Sequence, residues 1–87
     1  MARGGSVTVE VRVELKPGVL DAEAESVEKS LRLLGVPQVS AVRTARVYDL
    51  NFAGVDRAEA ERLAGIAVDR LLANPVIHRV HVETLPP

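Results

Sequence analysis

Apolar residues alternate strictly at Val7, Val9, Val11, Val13 and Leu15, with Thr8, Glu10, Arg12 and Glu14 between them. A period of two predicts a strand over 6–15 with one buried face and one wet face. Lys16-Pro17-Gly18 ends it: Pro17 lacks a ladder donor, and Gly18 suits the positive-φ third position of a type II turn. From Asp21 the period changes. Ala24, Val27, Leu31 and Leu34 recur at spacings of three and four, which predicts a helix over 22–34 with one apolar stripe. Asp21 is its N-cap, Glu23 and Glu25 sit where the helix dipole favours acids, and Gly35 and Pro37 stop it.

The stretch 39–53 is β-rich without a hairpin signal between its arms. Two readings fit: two short strands around Thr44-Ala45-Arg46, which is preferred, or one long bent strand serving two sheets or two subunits. Asp56 and Glu59 form a capping box for a second helix, whose Ala60, Leu63, Ala64, Ala67, Val68 and Leu71 face inward. Gly65 within it suggests close approach by another backbone. Asn74-Pro75 ends this helix near Ala73, and a last strand covers 76–85. The order β-α-β(-β)-α-β predicts an α+β fold, a two-layer antiparallel sheet with two helices on one face, close to ferredoxin-like. Residues 1–5 read as a flexible tail and 6–87 as one domain.

Composition narrows the function. At 87 residues a lone domain is marginal, and association with other chains is a natural remedy. A formal net charge of -1 and two aromatics, Tyr48 and Phe52, argue against a nucleic-acid partner. The absence of cysteine excludes disulfides and thiolate chemistry. No apolar run approaches the ~18 residues of a membrane span, and no leader pattern opens the chain, so a cytoplasmic protein is expected.

Chemistry-bearing residues are few. His78 and His81, three apart on a strand, point to opposite faces with no nearby carboxylate pair, so a shared metal is not expected. Most acids belong to solvated helix faces, the serines lack an adjacent base, and no phosphate-binding glycine loop is present. Arg43 and Arg46 could reach a phosphate but read more simply as a solvent-facing strand. What remains is Lys16, Pro17, Gly18, Asn74 and Pro75, whose turn chemistry leaves them as candidates for partner contact.

Leu15-Lys16-Pro17-Gly18-Val19-Leu20-Asp21, a helix ending Leu33-Leu34-Gly35, and Leu71-Leu72-Ala73-Asn74-Pro75-Val76-Ile77 together resemble the PurS family. Its members are small subunits of phosphoribosylformylglycinamidine synthase, and the resemblance runs from Val7 to Glu83. It implies a cytoplasmic subunit of an amidotransferase that converts formylglycinamide ribonucleotide to formylglycinamidine ribonucleotide. The whole complex uses ATP, Mg and glutamine, while no cofactor is expected on this chain. The implied partners are a PurL-type synthetase, a PurQ-type glutaminase and further copies of the chain itself, as a dimer or tetramer. The implied role is to bridge the other subunits without catalytic residues and to aid ammonia transfer. Two places depart from the family pattern: Ala22-Glu23-Ala24 replaces a common Pro-Gln-Gly run, and His78-Arg79 replaces a more acidic stretch. The alternative, resting on element order alone, is a ligand-sensing module of ACT-type shape.

Overall fold

The computed structural model describes residues 5–87, so of the tail expected over 1–5 all but Gly5 lies outside the described residues. The valine run is a ten-residue strand, β1 (Ser6–Leu15). It is the middle strand of an antiparallel sheet, with β2 (Ala45–Ala53) on one side and β3 (His78–Thr84) on the other. Register sets Val9 between Leu50 and Thr84, Val11 between Tyr48 and Val82, and Val13 between Arg46 and Val80. Flanked on both edges, Val9 and Val11 are 0% exposed and Val13 is buried.

Two helices complete the α+β class expected from the sequence: α1 (Ala22–Leu33) and α2 (Arg57–Ala67). Each is capped as its sequence predicts. The Asp21 carboxylate accepts from Ala24 N–H at 2.9 Å and the Asp56 carboxylate from Glu59 N–H at 2.8 Å. Gly35, at φ 98°, closes α1, and Val36 N–H reaches back to Leu31 O at 2.8 Å.

Helix α2 lies on β1. Ala60 and Ala64, one turn apart on one face, are small enough to seat the helix on Val9, and Val7, Leu50, Phe52 and Val55 ring that contact. Of the α1 stripe only Ala24 is buried, while Val27 is 39% and Leu34 79% exposed. The shape explains this. The molecule extends 54 Å along its longest axis and has a radius of gyration of 17.2 Å, against about 12 Å for a compact chain of this length. Helix α1 is not packed closely against β1, β2 or β3, in keeping with that elongation.

Four details differ from the sequence reading. The β-rich stretch is neither a hairpin nor a single ladder: β2 begins at Ala45, where the break was placed, and 39–44 makes no ladder within the chain. Leu71 faces outward, 82% exposed, because α2 runs into a wide turn over 68–72. There Ala73 N–H bonds Val68 O five residues back at 3.2 Å, which shifts the face that a regular helix would keep. Gly65 meets no backbone, since a Cβ there would have nothing within 4 Å. The last strand starts at His78, because Val76 and Ile77 are turned in onto Asn74.

Val9→Ala should cost about 2 kcal/mol, by removing buried methyls that no neighbour can replace. Leu71→Ala should stay within about 0.5 kcal/mol, as an exposed substitution does. Urea unfolding at fixed protein concentration checks both, and a large loss for Leu71→Ala would restore the inward-facing reading.

Candidate functional site

The two punctuated stretches, separated by more than half the chain, meet at one corner. Pro17 and Gly18 turn the chain as the spacing predicts: Gly18 takes φ 87° and Val19 N–H bonds Lys16 O at 3.1 Å. Because β3 runs antiparallel to β1, the end of β1 lies beside the start of β3. There Lys16 N–H donates to Ile77 O at 2.8 Å, and the Lys16 Nζ donates to Pro75 O at 2.6 Å.

The Asn74 side of the corner is a closed knot. Asn74 Oδ1 accepts from Val76 N–H at 2.9 Å, and Asn74 O accepts from Ile77 and His78 N–H at 3.1 and 2.8 Å. Asn74 N–H in turn donates to His78 Nδ1 at 2.8 Å, so this imidazole is held as part of the turn. His81 lies on the other face, opposite Arg12. All five candidate contact residues, Lys16, Pro17, Gly18, Asn74 and Pro75, are brought together and exposed. Leu20 and Val76 stand exposed next to them.

Two clefts flank the corner. One, of about 300 Å³, is lined by the turn itself with Arg12, Val42 and Arg43. The other, of about 500 Å³, lies over Val13 and Leu15 and is bordered by Arg46 and His78. Between them Asp21 performs two tasks. One carboxylate oxygen caps α1, and the other accepts from Thr44 Oγ1 at 2.8 Å and Thr44 N–H at 3.2 Å. The Ala24 amide, then Thr44, holds its pKa below the ordinary value. This clamp joins positions 23 residues apart, and nothing in the sequence pattern marks it.

Charge on the sheet's polar face is unevenly settled. Glu14 accepts from Arg12 and Arg79, each at 2.8 Å, and the two guanidiniums lower its pKa to about 2. Glu10 has the opposite surroundings, with Asp49 and Glu83 directly across both ladders. The hydrogen bond with Asp49, then burial, then the charges of Asp49 and Glu83 raise its pKa, while Arg12 opposes them. Among the described residues Lys16, Arg43 and Arg46 have no carboxylate within 4.0 Å. The corner therefore presents a partly apolar surface of mixed charge, in which Arg12, Lys16, Arg43 and Arg46 lie among Glu14, Asp21 and Glu23.

A small α+β module whose two prolyl turns close on each other is the class that this geometry defines. The sequence profile of PurS, phosphoribosylformylglycinamidine (FGAM) synthase, matches residues 8–86, and the chain belongs to that family. The phosphoribosylformylglycinamidine synthase subunit PurS of Archaeoglobus fulgidus is 42% identical over 73 residues, 84% of this chain and 91% of the relative. The crystal structure of Methanocaldococcus jannaschii PurS, one of the subunits of formylglycinamide ribonucleotide amidotransferase in the purine biosynthetic pathway, is similar at 29% identity. Its TM-score is 0.76, covering 91% of this chain and 95% of that one. A chain in the structure of PurLQS from Thermotoga maritima shares the fold, with TM-score 0.81 at 23% identity over 93% of this chain and 99% of that one. The chain is thus a subunit of FGAM synthase, and the ligand-sensing alternative is not favoured.

The two glutamates should give opposite pH signatures. Glu14, lowered on folding, stabilises above its ordinary value of 4.5, and that stability is lost as pH falls towards about 2. Glu10, raised on folding, opposes folding while ionised and ceases to do so as pH falls through its folded value. Glu10→Gln should therefore raise Tm at about pH 7 and lose that advantage near pH ~3, whereas Glu14→Gln should lower Tm at about pH 7. Thermal unfolding at the two pH values measures this, and a Glu10→Gln gain that persists in acid would contradict it.

Proposed function

We propose that the chain is the non-catalytic small subunit of the FGAM synthase complex, acting in the cytoplasm by holding other subunits together. Its partners in this reading are a PurL-type synthetase and a PurQ-type glutaminase. The assembled enzyme converts formylglycinamide ribonucleotide to formylglycinamidine ribonucleotide with ATP, Mg and glutamine. Ammonia released by the glutaminase attacks the substrate amide carbon after phosphorylation by ATP has activated the amide oxygen, and the C–O bond then breaks with loss of inorganic phosphate. This chain supports that passage by fixing the two larger subunits relative to each other.

The corner where Lys16-Pro17-Gly18 meets Asn74-Pro75 carries the proposal. Its polar groups are spent on main-chain turns, and what it offers outward is a fixed surface with a lysine at its edge. Oriented nucleophile–base pairs mark a reacting site, and the hydrogen bonds here run instead between turn and turn. The family match across residues 8–86 supports the same reading.

The test is reconstitution. Adding the chain to its host's synthetase and glutaminase should raise glutamine-dependent product formation, and equal rates with and without it would reject the bridging role. Lys16→Ala should weaken assembly on size-exclusion chromatography while moving Tm little, because the side chain is exposed. An unchanged complex would reduce the corner to turn chemistry.

A further inference from the structure

The imidazole of His78 is bonded to the main chain in a way that admits one protonation state. Its Nδ1 accepts from Asn74 N–H at 2.8 Å. Turned over, the ring would set a C–H against that amide, so the bond itself fixes the orientation. A nitrogen that accepts carries no hydrogen of its own. Neutral His78 is therefore the Nε2–H tautomer. An imidazolium, with hydrogens on both nitrogens, cannot make the bond at all.

That bond completes the knot around Asn74, whose Oδ1 accepts from Val76 N–H and whose carbonyl accepts from Ile77 and His78 N–H. The next carbonyl, Pro75 O, is the acceptor for the Lys16 Nζ at 2.6 Å. Asn74, Pro75 and Val76 are exposed, while the imidazole is half-buried. Water can take the Asn74 amide once the ring lets go, so opening the knot strands no buried donor. The backbone of His78 stays in the ladder opposite Leu15, which confines the opening to the turn.

The charges around the ring give its protonated form somewhere to go. His78 lines the larger cleft together with Asp21 and Glu23 from the start of α1 and Arg46 from β2. Lys16 lies on the turn side, and Arg79, the next residue, is committed to Glu14 on the sheet's other face. Both Asp21 oxygens are engaged, whereas Glu23 makes no salt bridge among the described residues. An imidazolium turned away by the Asn74 amide thus meets a carboxylate across the cleft, with Arg46 opposing it.

We propose that His78 is a proton-operated latch on the corner. Neutral, it holds the Asn74-Pro75 turn closed. Protonated, it releases the Asn74 amide, and the surface formed by Lys16, Pro75 and Val76 loses its fixed shape. Histidine is the side chain that ordinarily changes charge between about pH 5 and 8, where carboxylates and guanidiniums keep theirs. The latch needs only the single chain; its effect on other subunits rests on the corner being the docking surface.

Nuclear magnetic resonance on the purified chain reads both parts of the latch. At about pH 8 the His78 ring should be the Nε2–H tautomer, and the Asn74 amide should exchange about tenfold or more slower than free peptide. On lowering the pH to about 5, that protection should vanish in step with protonation of the His78 ring, while the β1 amides keep theirs. His78→Asn puts an acceptor that takes no proton where Nδ1 was, so its Asn74 amide should stay protected at both pH values. An Nδ1–H tautomer at the higher pH overturns the proposal. So does Asn74 protection that survives protonation of the wild-type ring, or protection that still falls with pH in His78→Asn. Assembly with the host's synthetase and glutaminase subunits should weaken on acidification several-fold more for the wild type than for His78→Asn. Equal weakening of the two, with the latch seen to open in the single chain, rejects the corner as the docking surface.

Discussion

The double pairing of β1 is the constraint on which this structure depends. Among the described residues it is the one strand bonded on both edges, and its alternate valines form the deepest apolar layer. Everything else is attached to it: α2 sits on Val9 through two alanines, and the corner forms where the end of β1 meets the start of β3. A core of valines and alanines stabilises less per residue than one of leucine and phenylalanine, since each side chain withdraws less area from water. The sheet is therefore thin, and it tolerates little loss along β1.

The polar face of the same strand shows how far register governs electrostatics. Glu10 and Glu14 are four positions apart on one face and chemically identical, yet one faces carboxylates and the other guanidiniums. The difference arises from which residues of β2 and β3 the antiparallel ladders bring opposite, since cross-strand neighbours interact directly. A slip of one residue would send Val9, Val11 and Val13 to the wet face. The buried valines thus fix the register, and the charge pattern follows from it.

Strand β1, both N-caps, the turn at Gly18 and the closure at Gly35 were legible in the sequence, because each depends on a local period or on a backbone preference of one residue. The five corner residues were also found, as turn formers, although their meeting across the sheet was not. The Asp21–Thr44 clamp and the Arg79–Glu14 pair are contacts between distant positions, visible only once the topology is known. Leu71 was misplaced because a wide turn alters the helical period without any signal from glycine or proline. Gly65 was misread because a glycine in a helix has open space as readily as a close neighbour. For 39–44 the expected β-structure does not form a ladder within the chain, since strand propensity alone supplies no partner edge.

The Asp21 carboxylate links α1 and the segment returning to β2 to the corner. It holds the first turn of α1 and the last residue of the return segment together, immediately after the Lys16-Pro17-Gly18 turn. With both oxygens engaged, the carboxylate fixes the direction in which the chain leaves the turn, because charge-assisted hydrogen bonds are directional as well as strong. The corner is therefore not an independent patch: the Lys16-Pro17-Gly18 turn, the start of α1 and the approach to β2 are tied together by one side chain.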